Sequence, residues 1–384
     1  MLLPLRPILE ATQRYGYAQG TFNVNAVAQA QAVIQVHEMF RSPAILQGAD
    51  LANAFMGGRT DFQNGTVEDK IARAKNIGRA VQAYGAPSPV PVVLHLDHGR
   101  DLESVKAAIA GGYTSVMIDG SSLPFDQNVE LTREVVKYAH QRGVTVEGEL
   151  GVLAGVEDHV FSAASTYTNP LDAVEFFKKT RVDCLAISYG TKHGAAKGKD
   201  VKLRREIPTA IRECLMHEGI FGVLVSHGSS TVPRYIVEEI NRLGGRLEET
   251  GGIALRELKA TIPCGIGKIN VDTDIRLAVT RNLRELFVQR PQLRDSARIG
   301  EIYRLLEQKP EQFDPRAFLT PIMDTVMYGN VPDQEVAAVC RCVAQGVQEA
   351  VGTLIVEFGS VGRAPLVEQV SLDQMAERYR KEGI

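Results

Sequence analysis

Short apolar runs alternate with longer segments of helical periodicity from the start of the chain to Arg290. An apolar run of strand length followed by an amphipathic helix is typical of a parallel β-sheet that helices cover. The predicted strands are residues 21–25, 44–48, 92–97, 115–119, 145–150, 184–189, 222–226 and 268–272. Eight such units in succession predict an α/β protein built as a (β/α)₈ barrel, or TIM barrel. An open doubly wound sheet is the alternative, but no predicted strand is followed by the GxGxxG turn that such sheets use for dinucleotides.

Residues 291–384 lack further strand-like runs and have the pattern of helices and loops. We therefore expect residues 1–290 to form the barrel, with its binding sites at the strand ends. We expect residues 291–384 to form a helical C-terminal extension of the same domain. This extension is expected to pack on the barrel or to form a subunit interface.

The composition limits the classes of partner. The chain has 384 residues, of which 44% are hydrophobic, enough for a sizeable buried core. Its 43 basic and 46 acidic residues give a net charge of -3, so the charge balance offers no general attraction for nucleic acid or an anionic membrane. The five cysteines are odd in number and mostly far apart, which favours reduced thiols over a secreted disulfide framework. No segment has the pattern of a signal peptide or a membrane span, and we expect a cytoplasmic protein.

Histidines lie at the ends of three predicted strands, where a (β/α)₈ barrel places its active site. His98 ends the third strand, His193 follows the sixth and His227 ends the seventh. Three imidazoles that meet over the barrel axis form a metal site with an open fourth position, the arrangement of catalytic zinc. Alternation along the third strand places Asp97 on one face and His98 on the other unless the strand has already ended. The alternative is that these polar residues only terminate buried strands.

Small residues beside two of these histidines indicate an anion-binding site. The backbone N–H groups of Gly194 and Gly228 can approach a phosphate closely. Ser230 and Thr273 add hydroxyl donors, and the helices after the seventh and eighth strands add their positive N-terminal ends. Each signal is weak alone, since glycines after strands commonly form turns. Their position next to candidate metal ligands favours a phosphate site.

Five segments, LHLDHG, VEGELG, GTKHGAAKG, SHGSS and KINVDTDIR, resemble in order and spacing the motifs of the class II, metal-dependent fructose-bisphosphate aldolases. The resemblance extends from about Gly16 to Ala364 and includes FDPR-like and FGSVGRA-like segments of the longer bacterial members. It implies a lyase that reversibly cleaves fructose 1,6-bisphosphate to dihydroxyacetone phosphate and glyceraldehyde 3-phosphate through a metal-stabilised enediolate. It also implies a homo-oligomer, a dimer or a tetramer, that binds a small sugar phosphate.

The resemblance implies a zinc ion, or another divalent metal, held by His98, His193 and His227. Such an ion polarises the ketose carbonyl as a Lewis acid. His95 and Glu149 match family positions connected with alternative metal sites, and here they could equally orient the metal ligands. Some relatives also hold a monovalent cation near the substrate.

The resemblance implies two proton-transfer residues and a set of substrate contacts. Asp97 matches the family aspartate that exchanges a proton with the C4 hydroxyl of the ketose. Glu157, in the loop VLAGVEDHV, matches the glutamate that moves a proton at the dihydroxyacetone phosphate carbon. The positions that match substrate-binding or phosphate-binding residues are Asn23, Gly194, Gly228, Ser230, Asn270, Asp272 and Thr273.

Three positions depart from the family pattern around the substrate. Ala49 stands where a serine usually follows the second strand, Ala196 replaces the usual tyrosine of HGAYKG, and Leu354 stands where an arginine reaches the distal phosphate from a neighbouring subunit. Losing one charged hydrogen bond costs roughly 1.5–3 kcal/mol, which is enough to change the preferred substrate. A class II aldolase for a different aldehyde is therefore one alternative. A non-catalytic sugar-phosphate-binding barrel is another, although the presence of Asp97 and Glu157 argues against it. A metal-dependent hydrolase barrel is a further alternative. It would need an HxH pair on the first strand, and the sequence TFNVN at this position argues against it.

Overall fold

The computed structural model describes residues 2–49, 66–157, 160–162, 166–194, 201–248, 250–323, 325, 331 and 333–383, with the backbone alone at 49, 73, 156, 157 and 160–162. The strands are β1 (Gln19–Asn23), β2 (Ala44–Ala49), β3 (Val92–Gly99), β4 (Ser115–Ile118), β5 (Thr145–Leu150), β6 (Gly155–Glu157), β7 (Val160–Ser162), β8 (Cys184–Ile187), β9 (Val223–Ser226) and β10 (Ile266–Val271). Within the described residues, all but β6 and β7 are parallel and close a barrel in chain order, with β10 back beside β1. The predicted (β/α)₈ barrel is confirmed.

The first half of β3 is apolar on both faces, which is why this strand is visible in the sequence. In β3, Val92 and Leu94 pack in the large cluster beneath the outer helices. Val93, between them, packs in a second cluster with Ile45 and Met117 inside the barrel. A strand that is buried on both faces has a continuous apolar run instead of an alternating one.

Helices connect the strands and cover the outside of the barrel. The helices are α1 (Arg6–Tyr15), α2 (Val27–Phe40), α3 (Val67–Gly85), α4 (Leu102–Ala110), α5 (Phe125–His140), α6 (Pro170–Thr180), α7 (Glu206–Glu218), α8 (Arg234–Arg242), α9 (Leu255–Lys259), α10 (Thr273–Gln289), α11 (Gly300–Gln308), α12 (Pro315–Phe318), α13 (Gln334–Glu357) and α14 (Leu372–Lys381). The Asp101 carboxylate caps α4 by accepting the Ser104 N–H at 2.7 Å. Such a cap contributes roughly 0.5–2 kcal/mol and fixes where the helix begins.

An antiparallel hairpin, β6 and β7, lies in the connection between β5 and α6, where the sequence predicts only a loop. Gly155 has a φ of 114°, and a Cβ atom there would lie 2.4 Å from the His193 carbonyl oxygen. A residue without a side chain therefore allows the hairpin to pack directly on the segment that carries His193.

The C-terminal helices lie against the barrel. α13 packs against α10 and α2 on the outside. α14 lies at the pole where the strands begin, and its Tyr379 hydroxyl donates to Asp183, just before β8, at 2.9 Å. α10 ends at Gln289, and a 3₁₀ turn at Pro291–Asp295 leads into the C-terminal helices. No helix among the described residues is both long and apolar enough to cross a bilayer.

Candidate active site

The carboxyl end of β3 contains a backbone irregularity that brings Asp97 and His98 together. The pairing of β3 with β4 shifts register between Leu96 and Gly99, and His98 has a φ of 48°, in the left-handed region. The prediction that alternation turns His98 to the opposite face is wrong, although the strand continues to Gly99. The left-handed residue interrupts the alternation, so that His98 Nε2 lies 3.9 Å from Asp97 Oδ1 inside the barrel mouth.

Three imidazoles meet over the barrel axis. His98 Nε2 lies 3.2 Å from His227 Nδ1, and the two ring centroids are 4.8 Å apart. The centroid of the His193 ring is 5.5 Å from that of His98 and 6.4 Å from that of His227. None of the three residues is more than 3% exposed. The structure thus brings together the three histidines that the strand ends predict.

The spacing of the His98 and His227 nitrogens suits a shared metal ion. Zn–N bonds are about 2.0–2.1 Å, so two nitrogens on one tetrahedral ion are about 3.3 Å apart. The observed separation is 3.2 Å. Among the described residues, Asp97, His98 and His227 have ligand atoms within 4.8 Å of one another, and so do His98, Asp119 and Glu149. Imidazole and carboxylate donors in this geometry fit a divalent metal, with a second possible position on the Glu149 side.

Carboxylates contact the outer nitrogen of two of the rings. His98 Nδ1 lies 3.1 Å from Asp119 Oδ2, and His227 Nε2 lies 2.8 Å from Glu147 Oε1. A carboxylate at one ring nitrogen directs the lone pair of the other nitrogen toward a metal. His95 lies deeper, with Nε2 3.6 Å from Glu147 Oε2. Of the two possibilities for His95, this contact supports orientation of the ligands.

The buried charges shift several pKa values. Burial alone lowers the pKa of His98, but the carboxylates of Asp97, Asp119 and Glu149 outweigh it and hold this pKa well above its ordinary value. Burial, followed by repulsion from Asp119, raises the pKa of Glu149 well above the usual carboxyl range. Burial also raises the pKa of Asp119, but the hydrogen bond and charge of His98 outweigh it and lower that pKa. The cluster of carboxylates makes this side of the mouth favourable for a cation.

Amide side chains surround the Asp97 carboxylate. Asn23 Nδ2 and Gln47 Nε2 donate to Asp97 Oδ2 at 3.3 and 3.1 Å. Asn270 Nδ2 donates to Asp97 Oδ1 at 3.5 Å, and Gln47 also donates to Asn23 Oδ1 at 2.6 Å. These contacts hold the fully buried carboxylate in one orientation, as a proton-transfer group requires.

The loops after β8, β9 and β10 meet on one side of the histidines. Gly228 has a φ of 61°, and a Cβ atom there would lie 2.6 Å from the Lys192 carbonyl oxygen, so glycine allows the two loops to touch. Ser230 Oγ accepts the backbone N–H groups of Asp272 and Thr273 at 3.4 and 3.1 Å, at the N-terminus of α10. The predicted phosphate-binding residues Gly228, Ser230 and Thr273 therefore lie beside a helix N-terminus.

The Asp272 carboxylate is bound to Arg276 at two points, with Arg276 Nε 2.9 Å from Oδ1 and Nη2 on Oδ2. Arg276 Nη1 in turn donates to Asp314, in the C-terminal extension, at 3.0 Å. A carboxylate repels phosphate, so Asp272 can serve a phosphate site through its backbone N–H. The extension thus supports one edge of the candidate site.

Some predicted positions lie partly or wholly outside the described residues. Ala196 lies outside them, and Glu157 ends β6 with its backbone alone described. Gly194 is the last described residue of its loop and has a φ of 81°. The backbone of Ala49 pairs in register with Asp97, at the end of β2 nearest the histidines.

Leu354 does not occupy a substrate-facing position. It lies in α13, is 3% exposed and packs in the main hydrophobic cluster. The leucine side chain therefore faces the interior of this chain. The leucine itself is explained by packing.

Among the described residues, four that contact the site are not predicted site residues: Gln47, Asp119, Glu147 and Lys268. Asp119 directly follows β4, so the strand-end rule that identifies His98 applies to it as well. Lys268 precedes Asn270 by two residues, and alternation places both on the inner face of β10. Lysine is rarely buried, which hides this signal in the sequence.

Comparisons with known proteins agree with one another. The family model described as “Fructose-bisphosphate aldolase class-II” matches residues 4–359. A fructose-bisphosphate aldolase from Treponema pallidum (strain Nichols) is 41% identical over 320 residues, which are 80% of this chain and 87% of the relative. One from Giardia intestinalis is 35% identical over 380 residues, 99% of each chain. The crystal structure of the YdjI aldolase from Escherichia coli K12 has a TM-score of 0.64 at 24% identity, covering 95% of this chain and 100% of that one, which supports the fold alone.

Proposed function

Since the chain belongs to the class II fructose-bisphosphate aldolase family, we propose that it reversibly cleaves fructose 1,6-bisphosphate to dihydroxyacetone phosphate and glyceraldehyde 3-phosphate. The observation that carries the proposal is the meeting of His98, His193 and His227 beside the buried Asp97. Aldol cleavage needs a Lewis acid at the carbonyl and a proton acceptor at the hydroxyl, and this geometry suits both.

We assign the metal of this metal-dependent family to His98, His193 and His227, and we propose zinc. When bound, a divalent ion polarises the ketose carbonyl and stabilises the negative charge that develops on its oxygen. Asp119 holds the His98 ring through Nδ1. Glu149, whose carboxylate lies close to the His98 ring and the Asp119 carboxylate in a second possible metal position, is assigned as an alternative ligand.

Asp97 is assigned to the proton of the C4 hydroxyl. In the cleavage direction its carboxylate takes this proton while the C3–C4 bond breaks and the C4 aldehyde forms, and in condensation it returns the proton. The amides of Asn23 and Asn270 keep the carboxylate in place. Glu157 is assigned to the proton added at C3 of dihydroxyacetone phosphate, on the basis of the family motif.

The phosphate of dihydroxyacetone phosphate is assigned to the loops after β8, β9 and β10. Gly194 and Gly228 offer backbone N–H groups, and Ser230 and Thr273 offer hydroxyl groups beside the N-terminus of α10. Asp272 is assigned a backbone contact because its carboxylate is bound to Arg276 and would repel a phosphate.

Cleavage of fructose 1,6-bisphosphate by chelator-treated protein, before and after Zn²⁺ is restored, tests the proposal. Activity is expected to disappear with the metal and to return with it. His98→Ala and His227→Ala are expected to lose both the bound zinc and the cleavage. His217→Ala, in an exposed part of α7, is the matched control and should retain both. Full cleavage by zinc-free protein contradicts the proposal.

An aldolase of the same class for a different aldehyde is the second candidate. It is favoured by Ala49, which lies in register with Asp97 where relatives usually have serine. The ratio of kcat/KM for ketose monophosphates and bisphosphates separates the two candidates. A strong preference for fructose 1,6-bisphosphate contradicts the second one.

We also propose that the protein is a cytoplasmic homo-oligomer. Family membership supports the assembly, and the free cysteines are compatible with a reducing compartment. Size-exclusion chromatography with light scattering measures the assembly, and a monomer at micromolar concentration contradicts it.

A further inference from the structure

Three buried side chains, those of Lys268, Glu147 and His227, are in contact one after the other. Lys268 Nζ lies 2.9 Å from Glu147 Oε2, and Glu147 Oε1 lies 2.8 Å from His227 Nε2. All three residues are 0% exposed. The attraction within a buried ion pair often does no more than offset the cost of removing both charges from water. The pair is therefore better explained by what it does to His227 than by stability.

The contact with Glu147 determines which nitrogen of His227 carries the proton. An ionised carboxylate only accepts hydrogen bonds, so His227 Nε2 must donate. A neutral imidazole has one N–H, which leaves a lone pair on Nδ1. Nδ1 is the nitrogen that faces His98 Nε2 at 3.2 Å. The lone pair therefore points to the position assigned to the metal.

Asn270 also lies close to this ring. Lys268 Nζ donates to Asn270 Oδ1 at 2.7 Å, which turns the amide nitrogen the other way. Asn270 Nδ2 consequently faces Asp97 and lies 2.9 Å from His227 Nε2. The amide nitrogen and the Glu147 carboxylate compete for Nε2, and the charged acceptor forms the stronger hydrogen bond. Nε2 is therefore assigned as a donor to Glu147.

We propose that the buried Glu147–Lys268 pair fixes the tautomer and orientation of His227, so that Nδ1 is presented to the metal. The inference rests on the proposed role of His227 as a metal ligand. Glu147 accepts the ring N–H, and Lys268 balances the carboxylate charge. Both act through His227 and are positioning residues.

Replacing Glu147 by glutamine reverses the hydrogen bond with little change in size. Lys268 can only donate, so it keeps the amide oxygen of the new side chain. The amide nitrogen then faces His227 Nε2, which must accept, and the ring proton moves to Nδ1, where it blocks the metal. In the double variant with Lys268→Met, no ammonium group holds the amide oxygen at position 147. The amide can then rotate so that its oxygen accepts the N–H of His227 Nε2.

Imidazole ¹⁵N NMR spectra of the metal-free protein at about pH 8, where ordinary histidines are neutral, measure the tautomer. His227→Asn identifies the His227 signals by their loss. Asp183→Asn is the matched control, because Asp183 lies 2.9 Å from His140 Nε2 in an equally buried pair at the opposite pole. Competition with a zinc chelator measures the metal affinity of each variant.

Wild-type His227 is expected as the Nε2–H tautomer, and Glu147→Gln as the Nδ1–H tautomer with zinc affinity about 10–100-fold weaker. The double variant Glu147→Gln, Lys268→Met should recover the Nε2–H tautomer and part of the affinity, while Asp183→Asn changes neither.

An Nδ1–H tautomer in the wild type overturns the inference and requires no variant to fold. An unchanged tautomer in Glu147→Gln, or a double variant that recovers nothing, also overturns it. Failure of the proposed function would be recognised differently. The wild-type protein would show the expected tautomer and bind zinc but would not cleave fructose 1,6-bisphosphate.

Discussion

Asp97 is the single residue on which the proposed proton transfer depends. Its carboxylate is buried, and amide groups of Asn23 and Gln47 donate to it. An amide cannot take the C4 hydroxyl proton, so Asp97→Asn should lower kcat by about 10²–10⁴-fold. The bound zinc should remain because the three histidines are unchanged. Steady-state kinetics with metal analysis measure both, and an unchanged kcat would exclude Asp97 as the proton acceptor.

His37, in α2, is a buried residue whose protonation affects stability. Burial lowers its pKa to about 4, whereas in the unfolded chain it is about 6.5. The folded pKa is the lower one, so the stabilisation is complete above about pH 6.5 and is lost as the pH falls toward about 4. Phenylalanine binds no proton. The free energy of unfolding of His37→Phe, relative to that of wild type, should therefore increase by about 2 kcal/mol when the pH is lowered from about 8 to about 5.

Urea unfolding at the two pH values measures this difference in the free energy of unfolding. His217→Phe is the control, because His217 is exposed and its replacement should leave the pH dependence unchanged. If His37→Phe and wild type lose stability in parallel, the buried ring is not responsible for the pH dependence.

Among the secondary-structure elements, β3 marks how far the sequence predicts the site. Its apolar run and its position in the barrel follow from burial on both faces. The direction of His98 does not, because alternation assumes regular pairing and this residue adopts a left-handed φ. Gly99 is the only local signal: a Cβ atom there would lie 2.5 Å from the Met117 carbonyl oxygen. A glycine after the histidine indicates a close approach but does not determine which way the ring points.

The loop after β9 is held by Asp274, in the first turn of α10. The carboxylate accepts the N–H groups of Thr231 and Val232 at 3.0 and 2.8 Å, and Val232 has a left-handed φ of 49°. That conformation is unfavourable for a β-branched residue, so the loop depends on these hydrogen bonds. Asp274→Ala should shift Ser230 and raise KM for the bisphosphate about tenfold, equivalent to about 1.4 kcal/mol.

Asp274→Asn keeps one acceptor oxygen and should have a smaller effect than Asp274→Ala. Steady-state KM, together with the inhibition constant of inorganic phosphate, measures the change at the phosphate site. Equal values for wild type and both variants would mean that the loop does not bind phosphate.

In the whole molecule, the N-terminal helix α1 and the C-terminal helix α14 meet at the end of the barrel opposite the histidines. Asp183 accepts the Tyr379 hydroxyl at 2.9 Å, and Arg6 Nη1 lies 3.5 Å from the same carboxylate. The His140 ring stacks on Tyr379 with centroids 3.7 Å apart. Burial raises the pKa of Asp183, but His140 and Arg6 outweigh it and lower that pKa. This pole of a (β/α)₈ barrel serves stability and not catalysis.

Tyr379→Phe should therefore lower the free energy of unfolding by about 1 kcal/mol, the value of one hydrogen bond. Cleavage kinetics should be unchanged, since the change lies far from the candidate site. Urea unfolding and steady-state assays on the same preparations measure both quantities. A loss of kcat without a loss of stability would contradict a purely structural role for Tyr379 and its helix, α14.

The sequence predicts the barrel and the three histidines because both follow from local patterns, apolar runs and polar strand ends. The contacts of the extension are not local. The 24-residue helix α13 has an apolar face, but amphipathicity does not identify α2 and α10 as its partners. Likewise, Glu147 and Lys268 are far apart in the chain, and neither one alone indicates a buried pair. Leu354 could be recognised as a core residue only after the packing of α13 was known.

Anomalous X-ray diffraction at the zinc edge, on crystals of the zinc-loaded protein, locates the metal itself. One peak is expected at about 2.0–2.1 Å from His98 Nε2, His227 Nδ1 and a nitrogen of His193. A zinc ion bound without His193 and His227, or the absence of any peak in this barrel mouth, would contradict the assignment of these histidines and the mechanism that depends on it.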